Sequence, residues 1–295
     1  MADLAIYLDL DGAWETERLG IPSRELRSWG PRLRYSAPRG VVEEFAGVVR
    51  VEGLPPVVLY GSGDFHYLAA VFLRRVREPV SLMSFDNHPD WDIRLPYYGC
   101  GGWINRALEL PLVRQAAVWG CGNFEFSAPN WWFRNRVQVQ EGRLRVYPWV
   151  ERQPDKVRGR MACITREGWR QAFVESLGAQ TAFYVTIDLD SLASDHAATN
   201  WEQGLFTPED LLWACAQLAT AGRRLVGLDI CGAYSPPRYA RWKQRFAGWF
   251  DHPRLPQMGL AEAQRRNHET LGKLLPGLMK LVDNGANGGR DARVT

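Results

Sequence analysis

Short, nearly continuous apolar runs recur along the chain, separated by stretches of helical periodicity. The runs Leu4–Leu10, Val57–Tyr60, Ser81–Phe85, Ala116–Trp119, Ala182–Ile187 and Leu225–Ile230 read as strands buried on both faces. Between them, 65–76, 103–108, 167–177 and 208–221 read as helices. The last opens on Thr207-Pro208-Glu209-Asp210, a capping residue followed by proline and two acids in the first turn. Strand–helix alternation of this kind predicts an α/β fold, a doubly wound and mainly parallel sheet between helical layers. From Ser127 to Arg160 the alternation fails. Arg136–Gln140 and Arg143–Tyr147 are expected to form a small hairpin about Glu141-Gly142, as an insertion near 127–160 over one end of the sheet. No repeat and no linker is visible, so residues 1–282 are expected to form one domain. The Gly/Asn-rich 283–295 is expected to be a mobile tail.

Composition narrows the function classes. A net charge of +3, with the basic residues dispersed, argues against a nucleic-acid partner. No apolar run reaches membrane-spanning length and the N-terminus has no leader pattern, so no membrane partner and a cytoplasmic location are expected. Five scattered cysteines without a C-x-x-C pair fit reduced thiols better than a disulfide frame or a thiolate zinc site. The thirteen tryptophans are read first as large core side chains, and second as walls of an aromatic pocket.

The chemistry gathers where three predicted strands end, the edge at which open α/β sheets bind ligands. After Ser81–Phe85 comes Asp86-Asn87-His88-Pro89-Asp90. In extended backbone the first, third and fifth residues project to one side, setting two carboxylates and an imidazole together. Such a group is costly unless a cation turns its repulsion into ligation. The strand Ala182–Ile187 likewise runs into Asp188-Leu189-Asp190, and Val57–Tyr60 runs into Gly61-Ser62-Gly63-Asp64-Phe65-His66. The candidate metal ligands are therefore His66, Asp86, His88, Asp90, Asp188 and Asp190.

Taken in order, these three segments resemble the arginase/agmatinase/formiminoglutamase (ureohydrolase) family, with its G-D-H turn, D-x-H-x-D strand end and later D-x-D strand end. Phe65 is an extra residue within the first motif, and the likeness spans roughly 57–236. The resemblance implies a three-layer αβα sandwich of the arginase/deacetylase-like kind and two Mn²⁺ ions, with Zn²⁺, Fe²⁺ or Co²⁺ as chemical alternatives. One ion would take His66, Asp86, Asp90 and Asp188, and the other His88, Asp86, Asp188 and Asp190. It also implies a small-molecule substrate, hydrolysis of a linear amidine or amide C–N bond, and a homo-oligomer.

The sequence departs from that family at two places. After Gly227-Leu228-Asp229-Ile230-Cys231 the family carries a guanidinium-pairing glutamate, where this chain has Gly232. In the loop after D-x-H-x-D, the family's proton-shuttling histidine is missing and Cys100 is the nearest replacement, either catalytic or a small buried side chain. His196 is a second candidate proton donor or an exposed loop residue. Catalytic candidates are thus Asp90, His196 and Cys100, and substrate-binding candidates are Glu125, Glu202 and Asn200. Free arginine is not the expected substrate. The alternatives are a one-zinc deacetylase-like amidohydrolase and a metal-binding homologue without turnover. More remote is a haloacid-dehalogenase-like phosphatase built on Asp9-Leu10-Asp11-Gly12.

Overall fold

The computed structural model describes residues 4–94, 96–253 and 258–291. Each apolar run named above becomes a strand, and the strands are, along the chain, β1 (Ala5–Asp9), β2 (Ser23–Glu25), β3 (Ser36–Ala37), β4 (Val57–Leu59), β5 (Val80–Phe85), β6 (Tyr98–Gly99), β7 (Val113–Cys121), β8 (Leu144–Pro148), β9 (Ala182–Asp188) and β10 (Arg224–Cys231). Eight of them form one sheet in the order β2-β1-β4-β10-β9-β5-β7-β8, every neighbouring pair parallel. β3 and β6 pair antiparallel outside it.

Alternate residues of the central strands feed two separate cores, one on each face of the sheet. Val58, Leu82 and Tyr184 belong to one cluster, and Val57, Leu59, Met83, Phe85, Phe183 and Val185 to the other. This double burial explains why β5 and β9 are apolar at nearly every position. Helices cover both faces, giving the expected three-layer αβα architecture. Trp14, Trp91, Trp103, Trp119, Trp149 and Trp169 fill these cores, so nearly half of the thirteen tryptophans are fully buried core packing.

The chain departs from the expected elements in three places. Segment 65–76 is not one helix but a 3-10 turn Gly63–Leu68, a short α-helix Ala69–Phe72 and a second 3-10 turn Leu73–Arg75. The hairpin at 136–147 does not form: Asn135 caps a helix Arg136–Gln140 by accepting from the Gln138 N–H at 3.1 Å, and Leu144–Pro148 joins the sheet as a parallel edge strand. Within the expected tail, helix Leu260–Asp291 continues to Asp291, and residues 292–295 lie outside the described residues. Its Leu271, Leu274, Leu275, Leu278, Met279 and Val282 form a buried stripe at helical spacing against the sheet. Among the described residues no helix is long and apolar enough to cross a membrane.

Strand order fixes where a ligand can sit. β4 and β5 follow one another in sequence but lie apart in the sheet, with β10 and β9 between them. The carboxyl ends of β4, β5 and β9 therefore surround a crevice where the order reverses.

Candidate metal centre

All six expected ligands converge on that crevice. Asp86 follows β5 directly, and its Oδ1 accepts the His88 N–H at 2.7 Å, turning the chain so that His88 faces inward. Asp90 has φ +46, a left-handed conformation that aspartate tolerates better than most residues, and its Oδ2 accepts from the Trp103 indole N–H. At the end of β9, Asp188 Oδ1 accepts the Asp190 N–H at 3.0 Å, and Asp190 Oδ1 accepts the Asn87 N–H at 3.0 Å, which ties the β5 and β9 ends together. His66 lies in the 3-10 turn after β4. Its Nδ1 is 3.0 Å from Asp86 Oδ2, 3.5 Å from Asp188 Oδ2 and 3.6 Å from Asp90 Oδ2. His88 Nδ1 is 2.8 Å from Asp190 Oδ2 and 3.5 Å from Asp86 Oδ1. Asp86 belongs to two clusters of donor atoms, one with His66 and Asp90 and the other with His88 and Asp190.

Two observations indicate that these groups suit a divalent cation. Asp86 Oδ2 and His88 Nε2 are buried without a hydrogen-bond partner. The proton on His66 is also assigned by its neighbours. Asp229, buried on β10, accepts from the hydroxyls of Tyr60 (2.9 Å), Tyr184 (2.9 Å) and Thr186 (2.7 Å). The Thr186 proton is thereby committed, so its oxygen accepts from His66 Nε2–H at 2.9 Å. Nδ1 is left aimed at three carboxylates, a place for either a proton or a metal ion. Burial by itself pushes the His66 pKa down, but the adjacent Asp86 carboxylate, with Asp188 and Asp229 beyond, raises it to about 9. Asp90 and Asp190 are pushed well above the usual carboxylate range, first by burial and then by neighbouring carboxylates. Four carboxylates so placed need added positive charge, and oxygen donors with two imidazoles suit the divalent ions of the manganese-to-zinc range.

The cage opens into a cavity of about 880 Å³ whose lining includes Tyr35, Cys100, Phe124, Glu125, Trp201, Phe250 and His252. Glu125 is half-buried there, and burial outweighs His88 and Asn123 to raise its pKa to about 7. Cys100 also lines it, its thiol pushed well up by burial and nearby acids and hence protonated at neutral pH. Glu202 lies beside the cage, Oε2 at 3.7 Å from His88 Nε2.

Two other candidates are placed elsewhere. Asn200 is committed to the fold: its Oδ1 accepts from Ser62, Arg34 and the Ser235 N–H, and its Nδ2 donates to the Ser235 carbonyl. His196 is absent from the cavity lining, with Nε2 3.8 Å from Asp195. After the D-x-D motif the chain leads away from the crevice at His196, and when it returns at Trp201 and Glu202 the neighbouring Asn200 side chain points into the fold instead. The aromatic loop at 130–133 contributes only Asn130 to the cavity, since Trp131 packs on Trp91 and Arg134. Asp9 and Asp11 are saturated: Asp9 by Tyr7, Gly12 and Arg27, and Asp11 by the Ser62 and Ala13 N–H groups and the Ser235 hydroxyl. Neither is placed as a free nucleophile.

His252 is the residue that sequence reasoning missed. It follows helix Trp242–Asp251, and its Nε2 is 2.7 Å from Asp64 Oδ1. Asp64 is buried, yet His252 and Arg34 hold its carboxyl well below the usual range. Its partner is 188 positions away and no local motif marks it. Cys231 was missed too: its thiol donates to Asp188 Oδ2 at 3.4 Å.

Gly232 has φ +98, and a Cβ built on it would overlap the Asp188 carboxylate and the Leu189 nitrogen. The position excludes every side chain, and it does not open space beside the cage.

No family model matches the sequence. An uncharacterized protein of Thermotoga maritima is 29% identical over 189 residues, 64% of this chain, and the match spans less than two thirds of that relative, 62%. Solved structures share the fold. Proclavaminate amidino hydrolase of Streptomyces clavuligerus aligns at TM-score 0.53 and 11% identity, over 97% of this chain and 93% of its own. Arginase from Medicago truncatula aligns at 0.52 and 16%, over 95% and 88%. Entamoeba histolytica arginase in complex with L-ornithine aligns at 0.53 and 10%, over 95% and 99%. The architecture of this chain is therefore the arginase-like α/β fold.

Proposed function

We propose that the chain is a divergent ureohydrolase, a binuclear-metal hydrolase of a non-peptide C–N bond in a linear amidine or amide. The observation that carries this reading is the cage of His66, Asp86, His88, Asp90, Asp188 and Asp190, with Asp86 common to two donor clusters. By the resemblance, His66, Asp86, Asp90 and Asp188 would hold one Mn²⁺, and His88, Asp86, Asp188 and Asp190 the other. Bound there, the pair would supply the positive charge that acidifies water and stabilises a tetrahedral intermediate.

The chain's own residues would do the rest. Glu125 is the carboxyl in the cavity wall with an oxygen to spare: Oε1 accepts from Asn123 Nδ2 at 3.2 Å, whereas Asp92 is engaged by Arg94 and Asp251 by Tyr35. It would hold an amidino or amino group of the substrate. His252, fixed through Nε2 by Asp64, has Nδ1 left to pass a proton to the departing amine, the arrangement by which a carboxylate orients an imidazole. His252→Ala is expected to lower kcat by roughly 10²-fold or more at unchanged metal content, with partial rescue by added imidazole. Full activity in that variant would remove His252 from the chemistry.

The cavity is larger than free arginine requires, and its walls of Tyr35, Phe124, Trp201 and Phe250 favour a bulkier, partly apolar molecule. A screen of manganese-loaded protein against arginine, agmatine, guanidinobutyrate, formiminoglutamate and acetylated polyamines tests the reading. Weak or no urea release from free arginine and agmatine is expected, with turnover confined to a larger C–N substrate. Glu125 holds a cation only when ionised, so KM for a cationic substrate should fall as pH rises through about 7 and become insensitive in Glu125→Gln. Efficient arginine hydrolysis would sink the substrate assignment, and an inert, metal-free protein would sink the reading as a whole.

A further inference from the structure

Helix Trp242–Asp251 fully buries two of its residues against the body of the protein. Gln244 is buried and its Nε2 donates to the carbonyls of Arg34 at 2.7 Å and Ser36 at 2.9 Å. Gly248 is buried against the Tyr239 ring, which leaves no room for a Cβ. The opposite side carries Trp242, Phe246, Trp249 and Phe250, at i, i+4, i+7 and i+8, a single stripe along the helix. Their exposures are 73%, 61%, 72% and 74%, where a folded protein normally hides such side chains. Lys243 and Arg245 are exposed and stand one on each side of the stripe. Arg238 is exposed just before the helix. The one acid of the helix, Asp251, accepts from the Tyr35 hydroxyl.

We propose that this stripe is a docking face for an anionic phospholipid surface, on which the helix lies in the plane of the headgroups. Aromatic residues on one face with Lys and Arg beside them are the pattern of an interfacial helix, the rings entering the headgroup–acyl boundary and the cations meeting lipid phosphates. The charge pattern weighs against a second copy as occupant. Any two-fold pairing through this face sets a basic flank against a basic flank, with no unengaged acid on the helix to answer it. The stripe contains no aliphatic residue, which fits the Trp and Phe preference of membrane interfaces better than a helix groove in a protein partner. Phe250 belongs both to the stripe and to the cavity lining, so docking would bring the mouth of the cavity to the lipid surface. The expectation of no membrane partner rested on the lack of a spanning run, which does not bear on a helix that lies on a surface. The inference is independent of the proposed activity.

Co-sedimentation of the full-length protein with phosphatidylserine/phosphatidylcholine vesicles tests it, with pure phosphatidylcholine as control and circular dichroism to confirm folding. Wild type should pellet with the anionic vesicles, lose that binding as salt rises, and show tryptophan quenching by brominated lipid. The triple variant Trp242→Ser/Phe246→Ser/Trp249→Ser should bind at least about tenfold more weakly. Lys243→Glu/Arg245→Glu keeps every aromatic and should weaken binding by at least about tenfold, so the proposal remains decidable if the triple variant does not fold. It is overturned if wild type does not bind anionic vesicles, or if the variants bind as wild type does. A dimer in sedimentation equilibrium that depends on the same aromatics would also overturn it in favour of a second copy, and capture of an acidic protein without vesicle binding in favour of a protein partner.

Discussion

Asp188→Asn is expected to empty the metal centre and lower turnover by roughly 10³-fold or more, while the fold survives. Asp188 Oδ2 lies 3.5 Å from His66 Nδ1, and its other oxygen holds the turn to Asp190, so an amide of the same shape keeps the turn and loses the charge. The sign of the stability effect separates ligand loss from misfolding. Without metal the cage holds Asp86, Asp90, Asp188 and Asp190 close together and buried, an arrangement that costs folding energy. Removing one charge should leave the metal-free melting temperature equal to or above that of metal-free wild type, while abolishing the stabilisation that added Mn²⁺ gives wild type. Thermal melts with chelator and with metal, beside metal analysis, decide the matter. Retained metal in Asp188→Asn would show that the centre is built on other residues.

The second large effect is expected at Gly232. Gly232→Ala forces a side chain into φ +98 and into the Asp188 carboxylate. The backbone strain alone costs about 1–3 kcal/mol, and relief of the overlap must displace Asp188. Loss of metal together with a clear drop in melting temperature is expected. Gly232→Glu, which would restore the carboxylate carried by arginases, should fare worse and confer no arginine hydrolysis. A stable, metal-loaded Gly232→Ala enzyme would show that the packing at this position is looser than described. The backbone at Gly232 therefore leaves no space for the glutamate that the resemblance to arginases would put there.

The D-x-H-x-D and D-x-D segments were legible in the sequence because their geometry is local. Apolar lead-ins identify the strands and the ligands follow at once, but it is turns rather than the expected extended alternation that gather them: Asp86 and Asp188 each accept the N–H two residues on, and Asp90 is left-handed. His66 was legible for a related reason, since the turn after β4 opens on the same edge as the turns after β5 and β9. The extra Phe65 does not spoil that motif: it is fully buried, and it separates Asp64, which turns to Arg34 and His252, from His66, which turns to the cage. What the sequence hid were convergences between distant segments. His252 meets Asp64 across the fold, and Asp229 gathers hydroxyls from β9 and from the residue after β4, none of it with a spacing to read. Proximity along the chain misled at His196 and Asn200 for the converse reason. The expected hairpin at 136–147 failed because alternating burial suits a parallel edge strand equally well, and only the exposed edge of β7 decides between them.

The carboxylates at the cage share one economy of design. Asp86, Asp188 and Asp190 each give one oxygen to a main-chain N–H, of His88, Asp190 and Asn87 respectively, and keep the other for the crevice. Their positions are thus set by the strand ends before any ion arrives. On the proposed reading, exchange of one ion for another would need no refolding. Choice between manganese and its neighbours would then rest mainly on which ion the surroundings supply, because the donor set alone suits several of them.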